Sequence, residues 1–386
     1  HAPHPPDVTT MDLTFSEEQQ AIHELAGRIL TDKLPAERLR EIETTDPDRF
    51  ARDAWDELAK SELLGIGLPA DVGGGGYGFL ETCLLLEQVG RTVAPVPAYA
   101  TLVLGALPIA EFGDAAQRAA WLPGVVAGRT VLAAALVESG DGIPPTRPAT
   151  TATPVDGGWE LSGEKWFVPA AHLAAAVLVP AALPDGSVAV FLVDPKAPGV
   201  SLTALDTFSG EPQFTVTLDG VAVGAEERLG GAAADGAVIV AWITARAVAA
   251  TCVTQAGVVE GALRITAAYV SQREQFNAKL ATFQAVSQRT ADAYVDTELV
   301  RLTAWQAAWQ LANGVDAAEA VSIAKFFTAE AAQRVVHAAQ HLHGGIGLDL
   351  DYPVHRYFRW AKELELRLGG GVQHLAPLGA MLAASR

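Results

Sequence analysis

The chain has 386 residues, half of them hydrophobic, which is enough for two or three domains with apolar cores. Its 27 Lys and Arg stand against 45 Asp and Glu, a formal charge of −18 that would repel a nucleic-acid backbone and leaves room only for a local basic groove around one anionic cofactor. Cys83 and Cys252 have no Cys-x-x-Cys or Cys/His spacing, so neither a disulfide framework nor a zinc site is expected, and a reducing cytoplasm fits.

Residues 1–10, "HAPHPPDVTT", have neither the basic start nor the apolar core of a signal peptide; Met11 reads as the natural start, and the fold expectations begin there. Arg, Asp, Glu or Gly interrupts every apolar run before the roughly 18 residues of a bilayer span, so a soluble protein without a membrane span is expected.

From residue 15 to about 128 the pattern is helical. "FSEEQQAIHELAGRIL" opens with Ser16 as N-cap, and its apolar residues recur at three and four. "LLGIGLPADVGGGGYG" breaks the helices; with no Gly-Lys-Ser/Thr ending and no preceding strand, it reads as a connecting turn and not a phosphate loop.

Short apolar runs punctuated by Gly, Pro and Asp follow: "VLAAALVES", "GWELSGEKWFV", "AAAVLVPA", "SVAVFLVD", "GVSLTALD" and "PQFTVTLDGVAV". Their regular spacing predicts a β-sheet or barrel. From about residue 235 helix returns, with Val258, Ala262, Ile265, Thr266 and Tyr269 on one face of a segment running to Arg273, then three further helical stretches. The expected fold is α+β: an N-terminal helical domain over 11–128, a middle β-barrel or sheet domain over 129–232, and a C-terminal four-helix bundle over 233–386.

Two stretches carry chemistry. In "REQFNAKLATFQAVSQRTAD", Arg273 ends a helix with Phe276 three residues on. The pair could hold a phosphate by a forked hydrogen bond beside a ring, or Arg273 could simply be an exposed helix-terminal charge. In "QHLHGGIGLDLDYPVHRYFRWAK", Gly344 and Gly345 close a helix whose last turn carries Gln340 and His341; the glycines suit either an ordinary C-cap or close approach of a cofactor. His341 and His343 are two apart and so lie on different helix faces, which argues against a metal site.

Taken in this order on a helix, sheet, helix layout, these stretches resemble the acyl-CoA dehydrogenase family of flavoproteins over Met11 to Arg386. "LLGIGLPADVGGGGYG" is similar to the family's turn between early helices, and "LSGEKWFVPAAHLAAAVLV" to its β-domain segment beside the flavin. "REQFNAKLATFQAV" is similar to its Arg-x-x-Phe-Gly turn, here with Asn277 for Gly, followed by Phe283 and Gln284. "HLHGGIGLDLDYPVHRYFRWAK" is similar to its Gln-x-x-Gly-Gly-x-Gly segment, with His341 at the Gln position and Gln340 one residue early.

The resemblance implies FAD held between β domain and bundle, a carboxylate that removes the α-proton of an acyl-CoA, hydride transfer to flavin N5, and an electron-transfer flavoprotein as acceptor. It also exposes departures. Aligning residues 359–362 on the family's "RDAK"-like segment puts Leu368, before Gly369, where many relatives carry the catalytic Glu. The alternative base position, before an Arg on an earlier helix, falls on Ala245 or, with a two-residue shift, Ala247. Glu260, Glu363 and Glu365 are displaced carboxylates that could substitute or could be ordinary solvated helix charges.

"VESGDGIPPT" replaces the family's Thr-Glu-Pro-Gly-like loop, Phe167 and Pro169 replace its flavin-bonding Trp-x-Thr, and residues 369–371, all Gly, lack the usual Thr or Ser beside the flavin. The face that family dimers lend to the neighbour's FAD is largely kept.

The resemblance therefore implies the base-lacking subunit of an α2β2 heterotetramer of the actinobacterial, steroid side-chain type. In that arrangement Arg273, Phe276, Gln284, His341, Gly344 and Gly345 reach FAD shared with a homologous base-bearing subunit. Two other readings stay open: a homomeric flavin monooxygenase or oxidase of the superfamily, and a flavin-free acyl-binding scaffold.

Overall fold

The computed structural model describes residues 14–140 and 142–384; residues 1–10 and Met11 lie outside it. The N-terminal region is helical. In α1 (Glu17–Lys33) Ser16 Oγ accepts from the Gln19 N–H at 3.2 Å while Gln19 Oε1 accepts from the Ser16 N–H at 3.0 Å, the reciprocal cap its sequence calls for. Then come α2 (Ala36–Thr45), α3 (Arg52–Lys60), α4 (Phe79–Arg91), a buried π-helical stretch Tyr99–Ala106 that runs into α5 (Leu107–Phe112), and α6 (Ala115–Val126). The glycine run before α4 is a connecting turn, with Gly73 and Gly76 at positive φ.

The middle region is a seven-stranded sheet ordered β1-β4-β2-β3-β7-β6, with β5 paired to β4. Its strands are β1 (Leu132–Ala134), β2 (Thr151–Val155), β3 (Gly158–Pro169), β4 (Ala176–Ala182), β5 (Val188–Val193), β6 (Val200–Leu205) and β7 (Gln213–Gly224). β2 is a strand that the hydrophobic pattern does not announce: it carries Pro154 and buries only Ala152, and its partner β3 imposes the extended form.

The C-terminal region packs α7 (Gly236–Gln272), α8 (Gln284–Ala312) and α9 (Ala318–His343) against one another and α10 (Val354–Leu366) against α7 and α9. A further helix, α11 (Gly371–Ala384), packs on α9; its start within three consecutive glycines hides it from the sequence pattern. The 37-residue α7 is long and apolar enough to cross a membrane, with a window of mean hydropathy 1.8, but its centre is the core of the fold: every residue from 247 to 259 is buried.

α4 and α7 cross at near backbone contact. A Cβ on Gly257 would lie 1.9 Å from the Glu87 carbonyl oxygen, and one on Gly90 equally close to that of Thr254. Both neighbours are helix backbone and cannot yield. Gly257→Val is expected to lose about 3 kcal/mol or more, read as a lowered urea midpoint with unchanged slope.

Candidate active site

The first place where chemistry converges is the cleft between the sheet and the turn after α10. The helix stops at Leu366, and Leu368 (φ 57°) and Gly369 (φ 92°) both take left-handed backbone to reverse the chain. Leu368 is 8% exposed and belongs to the main apolar core. Its carbonyl accepts from His374 Nε2 at 2.9 Å, and the Gly370 N–H donates to Gln373 Oε1 at 3.0 Å, tying the turn to α11.

Beneath the turn lies a wholly buried lysine. Lys325 Nζ donates to the carbonyls of Leu364 at 2.6 Å and Glu365 at 3.0 Å, satisfying two of the orphan acceptors that end α10. Burial pushes its pKa down to about 8.

Beside Leu368 opens a cavity of about 370 Å3 walled by Tyr99, Leu136, Trp166, Phe167, Pro169 and Phe208, with Gln213, Glu363 and Arg367 as its polar edge. Phe167 sits at φ 55° and is half exposed into this space, and Pro169 presents no N–H.

Of the three displaced carboxylates, Glu363 alone lines the cavity. Its Oε1 accepts from Gln213 Nε2 at 2.8 Å, and burial raises its pKa against the pull of Arg367. Glu365 pairs with Lys362 at 2.6 Å, and Glu260 pairs with Arg91 at 2.8 Å and Arg264 at 3.0 Å, so both serve helix surfaces.

Ala245 is half-buried and does not reach the cavity; Arg246, next to it, stacks 3.7 Å from the Trp242 ring. Ala247 is nearer, since its carbonyl accepts from Tyr99 Oη at 3.4 Å. Neither can take a proton. In the loop that departs from the family pattern, Glu138 is fixed by Lys165 at 2.7 Å and by the Thr150 N–H at 3.0 Å; these contacts outweigh burial and hold its pKa below the ordinary range.

The second place is one end of the bundle. Tyr269 stacks on His343 with centroids 4.5 Å apart, and His343 Nε2 meets Tyr352 Oη at 3.2 Å, which brings the end of α7 to the end of α9. Arg273 follows α7 and is exposed, with no side-chain hydrogen bond among the described residues. A hairpin of β8 (Glu274–Gln275) and β9 (Ala278–Lys279) turns on Phe276 (φ 54°) and Asn277 (φ 62°). Two consecutive left-handed residues make the turn that suits a tight hairpin, and Asn serves there in place of Gly.

Phe276 is 89% exposed and meets the Phe283 ring edge-on at 6.3 Å; Gln284 opens α8 beside it, also exposed. A Cβ on Gly344 or Gly345 would meet nothing within 4 Å, so this backbone faces open space. Gln340 folds back on Gly347, whose Cβ would lie 2.6 Å from its Nε2, whereas His341 faces outward. The six residues singled out in the sequence thus lie on neighbouring elements at this end.

An exposed guanidinium, an exposed ring and bare glycine backbone suit the diphosphate and aromatic parts of a dinucleotide such as FAD. The cleft does not suit a flavin ring equally well, because the backbone donor and hydroxyl expected beside it are replaced by Pro169 and glycines. Glu211, Gln213, Lys325 and Arg367 escape sequence reasoning because they are single residues without motif context; the one signal is a lysine inside the apolar run "SIAKFF".

The chain matches the profiles of the acyl-CoA dehydrogenase N-terminal domain over residues 16–129, middle domain over 133–221 and C-terminal domain over 235–373. This chain belongs to the acyl-CoA dehydrogenase family, whose members bind FAD. It is 37% identical to the acyl-CoA dehydrogenase FadE27 of Mycobacterium tuberculosis, across 97% of this chain and 99% of that protein. Among solved structures it resembles the Tcur3481-Tcur3483 steroid acyl-CoA dehydrogenase at 44% identity and TM-score 0.88, covering 96% of this chain and 98% of that one. It also resembles the ChsE4-ChsE5 complex of Mycobacterium tuberculosis, at 37% identity and TM-score 0.89 over 97% and 99%.

Proposed function

We propose that this chain is the subunit without the catalytic base in a heteromeric acyl-CoA dehydrogenase, joined in an α2β2 assembly to a homologous subunit that supplies the carboxylate. The observation that carries the reading is Leu368, buried in the apolar core at the turn where the proton acceptor would stand. A group that cannot accept a proton cannot begin α,β-dehydrogenation, and loss of a general base alone costs roughly a hundred- to ten-thousandfold in rate. Two of the structures it resembles carry two component names each, which supports an unlike pair.

In this reading Arg273, Phe276, Gln284, His341, Gly344 and Gly345 form the lending face for FAD shared with the partner. FAD, when bound, accepts the hydride. Arg273 pairs with phosphate charge, Phe276 and Phe283 cover apolar ring surface, and Gly344 and Gly345 let backbone approach without a Cβ. The acyl group is bulky, of the steroid side-chain kind, a reading supported by the likeness to a steroid acyl-CoA dehydrogenase, and an electron-transfer flavoprotein takes the electrons.

Co-expression with a base-bearing relative tests the assignment. The expected product is a complex with one FAD per unlike pair that bleaches on adding the acyl-CoA. Full flavin content and oxygen consumption in the chain alone would instead support the oxidase reading.

A further inference from the structure

The cleft beside Leu368 contains an ion pair placed where it divides the space. Besides the cavity of about 370 Å3 there is a second of about 70 Å3, under the junction of the N-terminal helices with the sheet. Tyr99 and Pro169 line both; Arg367 lines only the larger and Glu211 only the smaller. Arg367 Nη2 is bonded to Glu211 Oε2, so this pair stands between the two spaces.

The pair is braced from three sides. Arg367 Cζ lies 4.8 Å from the centroid of the Tyr99 ring. Gln213, 3% exposed, donates from one amide nitrogen to Glu211 Oε2 and to Glu363 Oε1, both at 2.8 Å. Tyr99 in turn donates to the Ala247 carbonyl on α7. Burial works against the Arg367 charge, but Glu211, Tyr99 and Glu363 more than offset it and keep the guanidinium firmly protonated.

We infer that the Arg367–Glu211 pair, held by Tyr99 and Gln213, is a partition that closes this chain's own cleft to an extended acyl thioester. Beyond the pair the space is about 70 Å3 against about 370 Å3 on the near side, so the pair stands where the cleft narrows sharply. The larger cavity ends on charged groups already satisfied by each other, which an alkyl chain would have to desolvate and part. The partition makes this chain's cleft unfit for substrate independently of the missing base, and restoring a carboxylate at position 368 alone would not revive it.

The inference deepens the proposed function but concerns only this chain's cleft, so it can fail while the assembly stands. The test counts molecules of 3-thiahexadecanoyl-CoA, a chain long enough to need both spaces and whose sulfur at the β position blocks dehydrogenation, bound by the purified complex in isothermal titration calorimetry. Wild type is expected to bind one per unlike pair, and the double variant Arg367→Ala with Glu211→Gln, which removes both charges together, two. Two per pair in wild type, or one per pair in a variant with native circular dichroism, would overturn it. If the alanine variant does not fold, Arg367→Ser with Glu211→Gln, whose hydroxyl can bond Gln213, replaces it under the same two outcomes. Failure of the assembly proposal has a different signature, full FAD in the chain purified alone.

Discussion

Arg273→Ala, made in this chain and purified with its base-bearing partner, is expected to weaken FAD retention roughly tenfold to a hundredfold, from the loss of about 1.5–3 kcal/mol in charge-assisted hydrogen bonds to phosphate. The measurement is FAD released per complex on dilution, followed by flavin fluorescence. Because the Arg273 side chain is exposed and bonds nothing within the described residues, its removal should leave folding stability within about 0.5 kcal/mol of wild type. A large loss of stability with unchanged FAD affinity would assign Arg273 to the fold and not to the cofactor.

Lys325→Met should expose the second large effect through pH. The Lys325 ammonium is held at a pKa of about 8 in the folded chain against an ordinary 10.5, so the unfolded state binds its proton more tightly. Stability from this group therefore rises with pH, beginning near 8 and complete near 10.5, by roughly 3 kcal/mol at 2.303RT per unit. Methionine removes the titration while keeping length and apolar volume. The stability of wild type relative to the variant is expected to rise by about that amount from pH 7.5 to 10.5, since wild type alone gains. Taking the difference between the two proteins cancels Tyr99 and Tyr357, which share the upper pH range with pKa values raised by burial to about 12. A gap that stays flat with pH would mean that Lys325 is not desolvated as the structure places it.

Much of the architecture could be read ahead of the structure because local signals and tertiary packing agree. Ser16 and Gln19 form the cap that their spacing implies, and β4 and β5 are buried on both faces as their unbroken apolar runs suggest. β2 could not be read, because its extended form comes from pairing with β3 and not from its own residues. The polar residues beneath the Leu368 turn were invisible for a related reason. Glu211 and Arg367 lie 156 residues apart, and Lys325 caps a helix 39 residues away, so no window of sequence contains the partners. Leu368 itself could be found only by alignment to a family pattern, since a leucine after a helix carries no chemistry of its own.

The proposed lending face shows the opposite case. Arg273 and Gly344 were marked by motif, and what brings them near each other is the Tyr269–His343 stack, formed by two residues outside the motifs' conspicuous positions. The same stack fixes the helix end so that His341 faces outward while Gln340 lies against Gly347. His341→Gln should therefore retain FAD in the complex, whereas Gln340→Ala should loosen the turn without acting on flavin directly, outcomes separable by FAD content and thermal midpoint.

FAD stoichiometry, measured on this chain alone and again after purification with a base-bearing homologue, tests the central claim most directly. The account predicts little FAD and no bleaching by acyl-CoA for the chain alone, and two FAD per α2β2 complex with rapid bleaching. One FAD per copy of this chain purified alone, reduced by an acyl-CoA, would contradict it.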